Sequence, residues 1–262
     1  MMFVPNQQVV DFLENGSVAV FSTDRTKLIR VSSFNTEGYY VDNFKYVVPD
    51  GVKVIGRCAF NFNNALTEIV MPNTVEMIEG YAFYGCFSLS KVTFSKNLTH
   101  IGPGAFKGCT SLNSISIPQG VTAIRDVTFC FCYNLYDVDL PQSVKVIGQS
   151  AFLSCKNLLR IKMPSMMESI GKGAFQRCEH LTSISVPNGI KDLEPIVFYD
   201  CTALQKVELP NTIKNIYYGA FGKCTSLRKI DLPDQFEHID QTSFIDCTNL
   251  IITHLNQEYH IK

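Results

Sequence analysis

The segment Ile147-Gly148-Gln149-Ser150-Ala151-Phe152-Leu153-Ser154-Cys155-Lys156-Asn157-Leu158, followed by Leu159-Arg160-Ile161-Lys162-Met163-Pro164, is one copy of a unit that recurs along most of the chain. Phenylalanine stands at 60, 83, 106, 129, 152, 175, 198, 221 and 244, nine times at a step of 23. Leucine keeps the same step at 66, 89, 112, 135, 158, 181, 204, 227 and 250. Eight of the ten cysteines do likewise, at 86, 109, 132, 155, 178, 201, 224 and 247. A fixed period with no insertion is the signature of a stacked array, in which each unit buries its apolar face against its neighbours.

Working outward, each unit reads Leu-x-x-Ile/Val-x-apolar-Pro-x-x-Val-x-x-Ile-Gly-x-x-Ala-Phe-x-x-Cys, with substitutions. Its leading part, as in Leu112-Asn113-Ser114-Ile115-Ser116-Ile117-Pro118, alternates like a strand with one buried face. Proline at 49, 72, 118, 141, 164, 187, 210 and 233 ends each strand, because it has no N–H for a continuing ladder; Ser95 is the gap in that column. Val121-Thr122-Ala123-Ile124 and its equivalents then point two more apolar groups inward from the opposite side. The segment around Ala105-Phe106 is too short for a long helix, and a single helical or 3₁₀ turn is expected there. With strands about 4.8 Å apart, roughly ten coils make a slab on the order of 45–50 Å long.

Residues 1–42 lie outside the period and read as a β-hairpin cap over the first coil. Asn15-Gly16 separates Val9-Val10-Asp11-Phe12-Leu13 from Ser17-Val18-Ala19-Val20-Phe21, and Ser22-Thr23-Asp24-Arg25 precedes Lys27-Leu28-Ile29-Arg30-Val31. Tyr39, Tyr40, Phe44 and Tyr46 are expected to thicken that cover, an aromatic ligand cradle being the functional alternative. The solenoid then runs over 43–255. A tail of 256–262 either folds over the last coil or continues a longer array, and Ile251, Ile252 and Leu255 leave an exposed end open to end-to-end self-association.

The 23 basic and 24 acidic residues of the 262 nearly cancel, which leaves no basic stripe for nucleic acid or for a membrane surface. No apolar run reaches the roughly 18–20 residues of a spanning helix, so no transmembrane segment is expected. Met1-Met2-Phe3-Val4-Pro5-Asn6-Gln7-Gln8 does not read as a secretory leader.

The Ile-Gly-x-x-Ala-Phe-x-x-Cys-x-x-Leu-x-x-Ile-x-x-Pro string, over roughly residues 46–255, resembles the BspA-like leucine-rich repeats of bacterial and anaerobic-protozoan surfaces. The resemblance implies a mainly β, right-handed leucine-rich-repeat superhelix, curved, with a parallel sheet on one face. It also implies adhesion or protein binding, and a secreted or membrane-anchored setting. A cytoplasmic location stays open where no leader is read.

Candidate chemistry is sparse. The cysteine column strings one thiol per coil along an axis, which suits neither a tetrahedral metal site nor the Cβ separation of a disulfide, so the thiols read as buried small hydrophobes. Cys58 and Cys130 lie off the column; exposure and oxidation stay open for Cys130, but no activating base stands near it and it reads as incidental. Gly102-Pro103-Gly104-Ala105-Phe106-Lys107-Gly108 lacks the Lys-Ser/Thr pair and long helix of a phosphate loop. Histidines 100, 180, 238, 254 and 260 occupy different coil positions, and no serine, histidine and acid set stands out. No catalytic, metal or cofactor site is expected.

What remains is the outward row of the strands: Glu68 and Val70, Lys91 and Thr93, Ser114 and Ser116, Asp137 and Asp139, Arg160 and Lys162, Ser183 and Ser185, Lys206 and Glu208, Lys229 and Asp231, Ile252 and His254. These positions vary while the core columns do not. Asp137 and Asp139 are expected beside Arg160 and Lys162 on adjoining strands, either as cross-strand charge pairs or, with Tyr136 as anchor, as a docking patch for a protein partner such as a host or extracellular-matrix protein. The expected function is thus a non-catalytic binding module. An intracellular leucine-rich-repeat scaffold and an enzyme with its site in the 1–42 cap are the alternatives.

Overall fold

The computed structural model describes residues 8–248, 250–255 and 257–260. From Phe44 onward each period makes one turn of a solenoid with three sides. The first carries the longer strands, such as Ser114–Ser116 and Asp137–Asp139, paired in parallel with Ile115 opposite Val138. Their middle residues are buried and their flanking residues exposed, because alternate side chains of a strand face opposite ways. The second side carries two-residue strands, Ala123–Ile124, Val146–Ile147 and Ser169–Ile170, again in parallel register. The expectation of one parallel sheet is therefore incomplete: the Val-x-x-Ile stretch turns Ile inward and brings its backbone to ladder distance of the next coil.

The third side replaces the expected helical or 3₁₀ turn. Hydrogen-bonded turns follow one another there, as in Ala105 N–H to Gly102 O (3.2 Å), Lys107 to Gly104 (3.0 Å) and Cys109 to Phe106 (3.1 Å). In the turn runs before the last, two residues four apart are left-handed, as at Gly104 and Gly108, Val127 and Phe131, Ser150 and Ser154, Gly173 and Arg177. A left-handed residue reverses the chain's sense, so no helix forms. It also aims the N–H outward along the stack: Gly104, Phe106 and Gly108 donate to Asp126, Thr128 and Cys130 of the next coil at 2.9, 3.0 and 2.8 Å. Bonds that a helix would keep to itself instead join the coils.

Inside, the phenylalanines form one ladder from Phe60 to Phe244, with ring centroids 5.0–5.6 Å apart and planes 3–15° from parallel. That is the offset stack aromatic quadrupoles favour, worth about 0.5–1.5 kcal/mol per pair beyond roughly 1.5–3 kcal/mol for burying each ring. Tyr46 closes its upper end edge-on, 5.4 Å from Phe60 at 67°. The column cysteines are buried free thiols, as expected. Cys130, whose exposure the sequence leaves open, is buried, 2% accessible. Val127 and Phe131 on either side of it are left-handed, which folds the side chain in, and the exposed thiol is Cys58.

Both ends are covered by hairpins. Val9–Phe12, Val18–Phe21 and Lys27–Val31 pair antiparallel, and Lys27–Val31 then pairs in parallel with Val54–Ile55, extending the second ladder. Ala19, Phe21, Leu28 and Val31 enter the common core. Tyr46 is buried and Phe44 half-buried in the cover, but Tyr39 and Tyr40 are 67% and 72% exposed. They lie on a tight loop closed by the Phe34–Tyr40 bridge, and the Tyr40 ring packs on Phe34. At the other end Ile251–His254 pairs antiparallel with Gln257–His260, so the tail folds over the last coil; Asn256, Ile261 and Lys262 lie outside the described residues. This coil is one residue short: Ile230 pairs with Ile252, a step of 22. The slip turns Ile252 inward (9% exposed), where the 23-residue step had placed it outward.

Candidate functional site

The long-strand ladder presents Asp137 and Asp139 on the strand Asp137–Asp139, in register with Ser114 and Ser116. Ser116 Oγ donates to Asp139 Oδ2 at 2.9 Å, and Tyr136, ahead of the strand, is 50% exposed. Arg160 and Lys162 are exposed on the next coil, where Ile161 and Met163 still face the core. The backbone there does not join the ladder: paired strands stop at Asp137–Asp139 and resume at Ser183–Ser185. The expectation of adjoining strands fails here; the long-strand side pairs in separate groups, also parting between Lys91–Thr93 and Ser114–Ser116 and between Lys206–Glu208 and Lys229–Asp231, while the two-residue strands Val146–Ile147 and Ser169–Ile170 stay paired beside the 160–162 coil.

Elsewhere charges one coil apart pair directly. Glu68 bridges Lys45 and Lys91 at 3.3 and 3.0 Å, Lys145 meets Glu168 at 2.9 Å, and Lys156 meets Glu179 at 2.9 Å. Arg177 and Asp200 approach to 3.4 Å, and Lys214 pairs with Glu237. The two lysines hold the Glu68 carboxyl below its usual range, the hydrogen bond from Lys91 contributing most. Among the described residues no ion pair joins Asp137 or Asp139 to Arg160 or Lys162. The expected cross-strand pairs are therefore not formed, because the opened ladder leaves the side chains without a common register.

The described residues hold no group of three or more His, Cys, Asp or Glu able to ligate a metal, and no helix long and apolar enough to cross a membrane. The array thus offers rows of side chains at strand spacing.

A family model described as the BspA type leucine rich repeat region, in 6 copies, matches residues 32–159 and 122–251. The chain belongs to this family. Among solved structures, a fold like this one is seen in a leucine-rich repeat protein of Bacteroides ovatus, 25% identical, over 98% of this chain and 89% of that one, with a TM-score of 0.60. The T. pallidum leucine rich repeat protein is 26% identical over 82% of this chain and 89% of its own, with a TM-score of 0.54. The pneumococcal vaccine antigen PcpA is 16% identical over 95% of this chain and 82% of its own, with a TM-score of 0.51, and shares the fold. No curated protein sequence matches the chain.

On this BspA-type array the sequence reading missed a second surface. Phe62, Phe87 and Tyr133 are 48%, 44% and 41% exposed on the turn side, where Lys107 Nζ lies 5.4 Å from the Tyr84 ring and 5.8 Å from that of Phe131. The signal was present as extra aromatic residues close behind the core phenylalanines, at Phe62, Tyr84 and Phe131, but their outward direction depends on the left-handed turns.

Proposed function

We propose that the chain is a non-catalytic protein-binding module whose outward long-strand row, from Tyr136 to Lys162, docks a protein partner. One observation supports it above the rest: among the described residues Asp137, Arg160 and Lys162 carry no ion pair, whereas on the same row Glu68 pairs with Lys45 and Lys91, Lys206 with Glu208, and Lys229 with Asp231. Opposite charges left unpaired one coil apart select a partner with the reverse pattern and speed its encounter. Tyr136 supplies the half-exposed ring that can become buried at the centre of such a contact. Because the array fixes the backbone that carries them, the ordering entropy lost on binding is confined to the side chains. We place this role in adhesion at a bacterial cell surface, to host or extracellular-matrix protein; the family's association with surface proteins supports that setting.

The column thiols are buried and serve the packing between coils, so their free state does not favour the alternative of an intracellular scaffold.

The test is capture of immobilised host and extracellular-matrix proteins by the native chain and by a variant carrying Asp137→Lys, Asp139→Lys, Arg160→Glu and Lys162→Glu together. Loss of at least about tenfold in affinity, with the circular dichroism melt unchanged, is expected. Equal affinity in the two would remove the patch from consideration.

A further inference from the structure

A cavity of about 630 Å³ lies between the N-terminal hairpins and the turn side of the first coil, away from the long-strand row. That volume is within the range of small-ligand sites, about 300–1,000 Å³. Its charged lining residues are Arg30 and Arg57, and no Asp or Glu lines it. Among the described residues neither guanidinium has an ion-pair partner, and that of Arg57 rests 5.6 Å from the Tyr81 ring. The nearby Glu79 is already engaged, accepting from the backbone N–H of Arg57 at 2.7 Å and pairing with Lys27 Nζ at 2.6 Å.

The backbone of this wall is unfinished. In the second coil the carbonyls of Gly80, Ala82 and Tyr84 accept from Cys58, Phe60 and Phe62 at 3.3, 2.7 and 2.7 Å. The equivalent carbonyls of the first coil are those of Arg57, Ala59 and Asn61, all lining the cavity. Only the middle one is filled, by Val31 N–H at 2.8 Å. The Arg57 and Asn61 carbonyls receive no donor from the described residues. An acceptor of this kind favours a donor from whatever occupies the space. The side chains of Asn61 and Asn64 add amide donors and acceptors. Aromatic rings stand at both margins: Phe34 and Tyr40, with centroids 4.4 Å apart, and the half-exposed Phe62.

We infer that this cavity binds an acidic sugar, a carboxylate-bearing pyranose at a glycan end. The Arg30 guanidinium takes the carboxylate, joined by that of Arg57 on turning from the Tyr81 ring, which lies outside the cavity lining. The hydroxyls donate to the open carbonyls of Arg57 and Asn61 and exchange hydrogen bonds with the two asparagine amides. The apolar C–H face of the ring packs on the aromatic margin. A neutral sugar leaves both arginines unpaired, and an extended acidic peptide lacks the cluster of hydroxyl donors. This site is separate from the long-strand row, so its test stands or falls independently of the protein-docking proposal.

Cys58 provides the readout, because it lines the cavity and is the one exposed thiol among ten. The intact chain is alkylated with iodoacetamide alone, or with galacturonate, N-acetylneuraminate, galactose or an acetylated aspartyl dipeptide. Either sugar acid is expected to slow Cys58 alkylation at least about fivefold at saturation, its identity telling uronate from sialate, while galactose and the dipeptide leave the rate unchanged. Protection is expected to vanish in Arg30→Gln/Arg57→Gln and to weaken in Phe62→Ala, each against its own unliganded rate and with the melt retained. No protection by either acid, equal protection by galactose, stronger protection by the dipeptide, or protection undiminished in both variants would each overturn the assignment.

Discussion

The Cys155 thiol donates to the backbone carbonyl of Phe129, 3.2 Å away and 26 residues earlier. The same bond recurs at every column cysteine, from Cys86 to Phe60 at 2.9 Å through Cys247 to Phe221 at 2.9 Å. The Cys155 thiol thereby ties its coil to the one before it. A small apolar side chain that can donate fits this slot, and alanine cannot donate. Cys155→Ala is expected to lower stability by about 1–2 kcal/mol through the lost bond and the small void, read as a fall in the urea midpoint.

Burial makes these thiols a source of alkaline sensitivity. Desolvation pushes Cys86 up to about 12 and Cys130 up to about 11 from an ordinary value of 9.0, and it drives Cys109, Cys155 and Cys178 well upward too. A thiol whose folded value is raised holds its proton longer in the native state, so its contribution is intact below pH 9 and is lost as pH climbs toward the folded value. Stability should be level from pH 7 to about 8.5 and then fall by up to about 1.4 kcal/mol per pH unit for each buried thiol that ionises on unfolding. Thermal melts across pH 7–11 would show this as a steepening drop; a level profile through pH 11 would contradict it.

The phenylalanine ladder gives position-dependent costs. Phe152 stacks on both Phe129 and Phe175, at 5.5 and 5.4 Å, while Phe244 stacks on Phe221 alone, at 5.5 Å. Phe152→Ala should cost about 3–5 kcal/mol and split the denaturation curve into two transitions, since each coil is held by its neighbours. Phe244→Ala should cost less and leave a single transition.

Left-handed positions offer the opposite sign. Val127, a branched residue at φ 50°, occupies the place that Gly104 fills one coil earlier at φ 61°. Val127→Gly relieves about 1–2 kcal/mol of backbone strain, offset in part by glycine's freedom in the unfolded chain, for a net gain of about 0.5–1 kcal/mol. Gly104→Val adds the strain and sets a Cβ 2.4 Å from the Tyr81 ring, so it should cost about 2–4 kcal/mol. Matched melts of the two variants check both directions.

What the sequence determined by itself was the interior. Phe, Leu and Cys at a step of 23 are dictated by one-dimensional packing, because each coil must present to the next what the next presents to it, and that demand repeats in the primary structure. The exposure of Tyr136, Asp137, Asp139, Arg160 and Lys162 was legible for the same reason, as the complement of the buried columns. Tertiary structure alone decided what those residues do with one another. The missing ladder at Arg160–Lys162 and the 22-residue step that turned Ile252 inward are register events, and register depends on backbone pairing across coils rather than on any local pattern. The turn side was hidden for a second reason: its left-handed residues include Val127, Ile196 and Phe131, types that favour other conformations in isolation, and only bonds to the following coil hold them there. The cavity at Arg30 and Arg57 arises where that coil-to-coil bonding begins, at a boundary no single stretch of the chain contains.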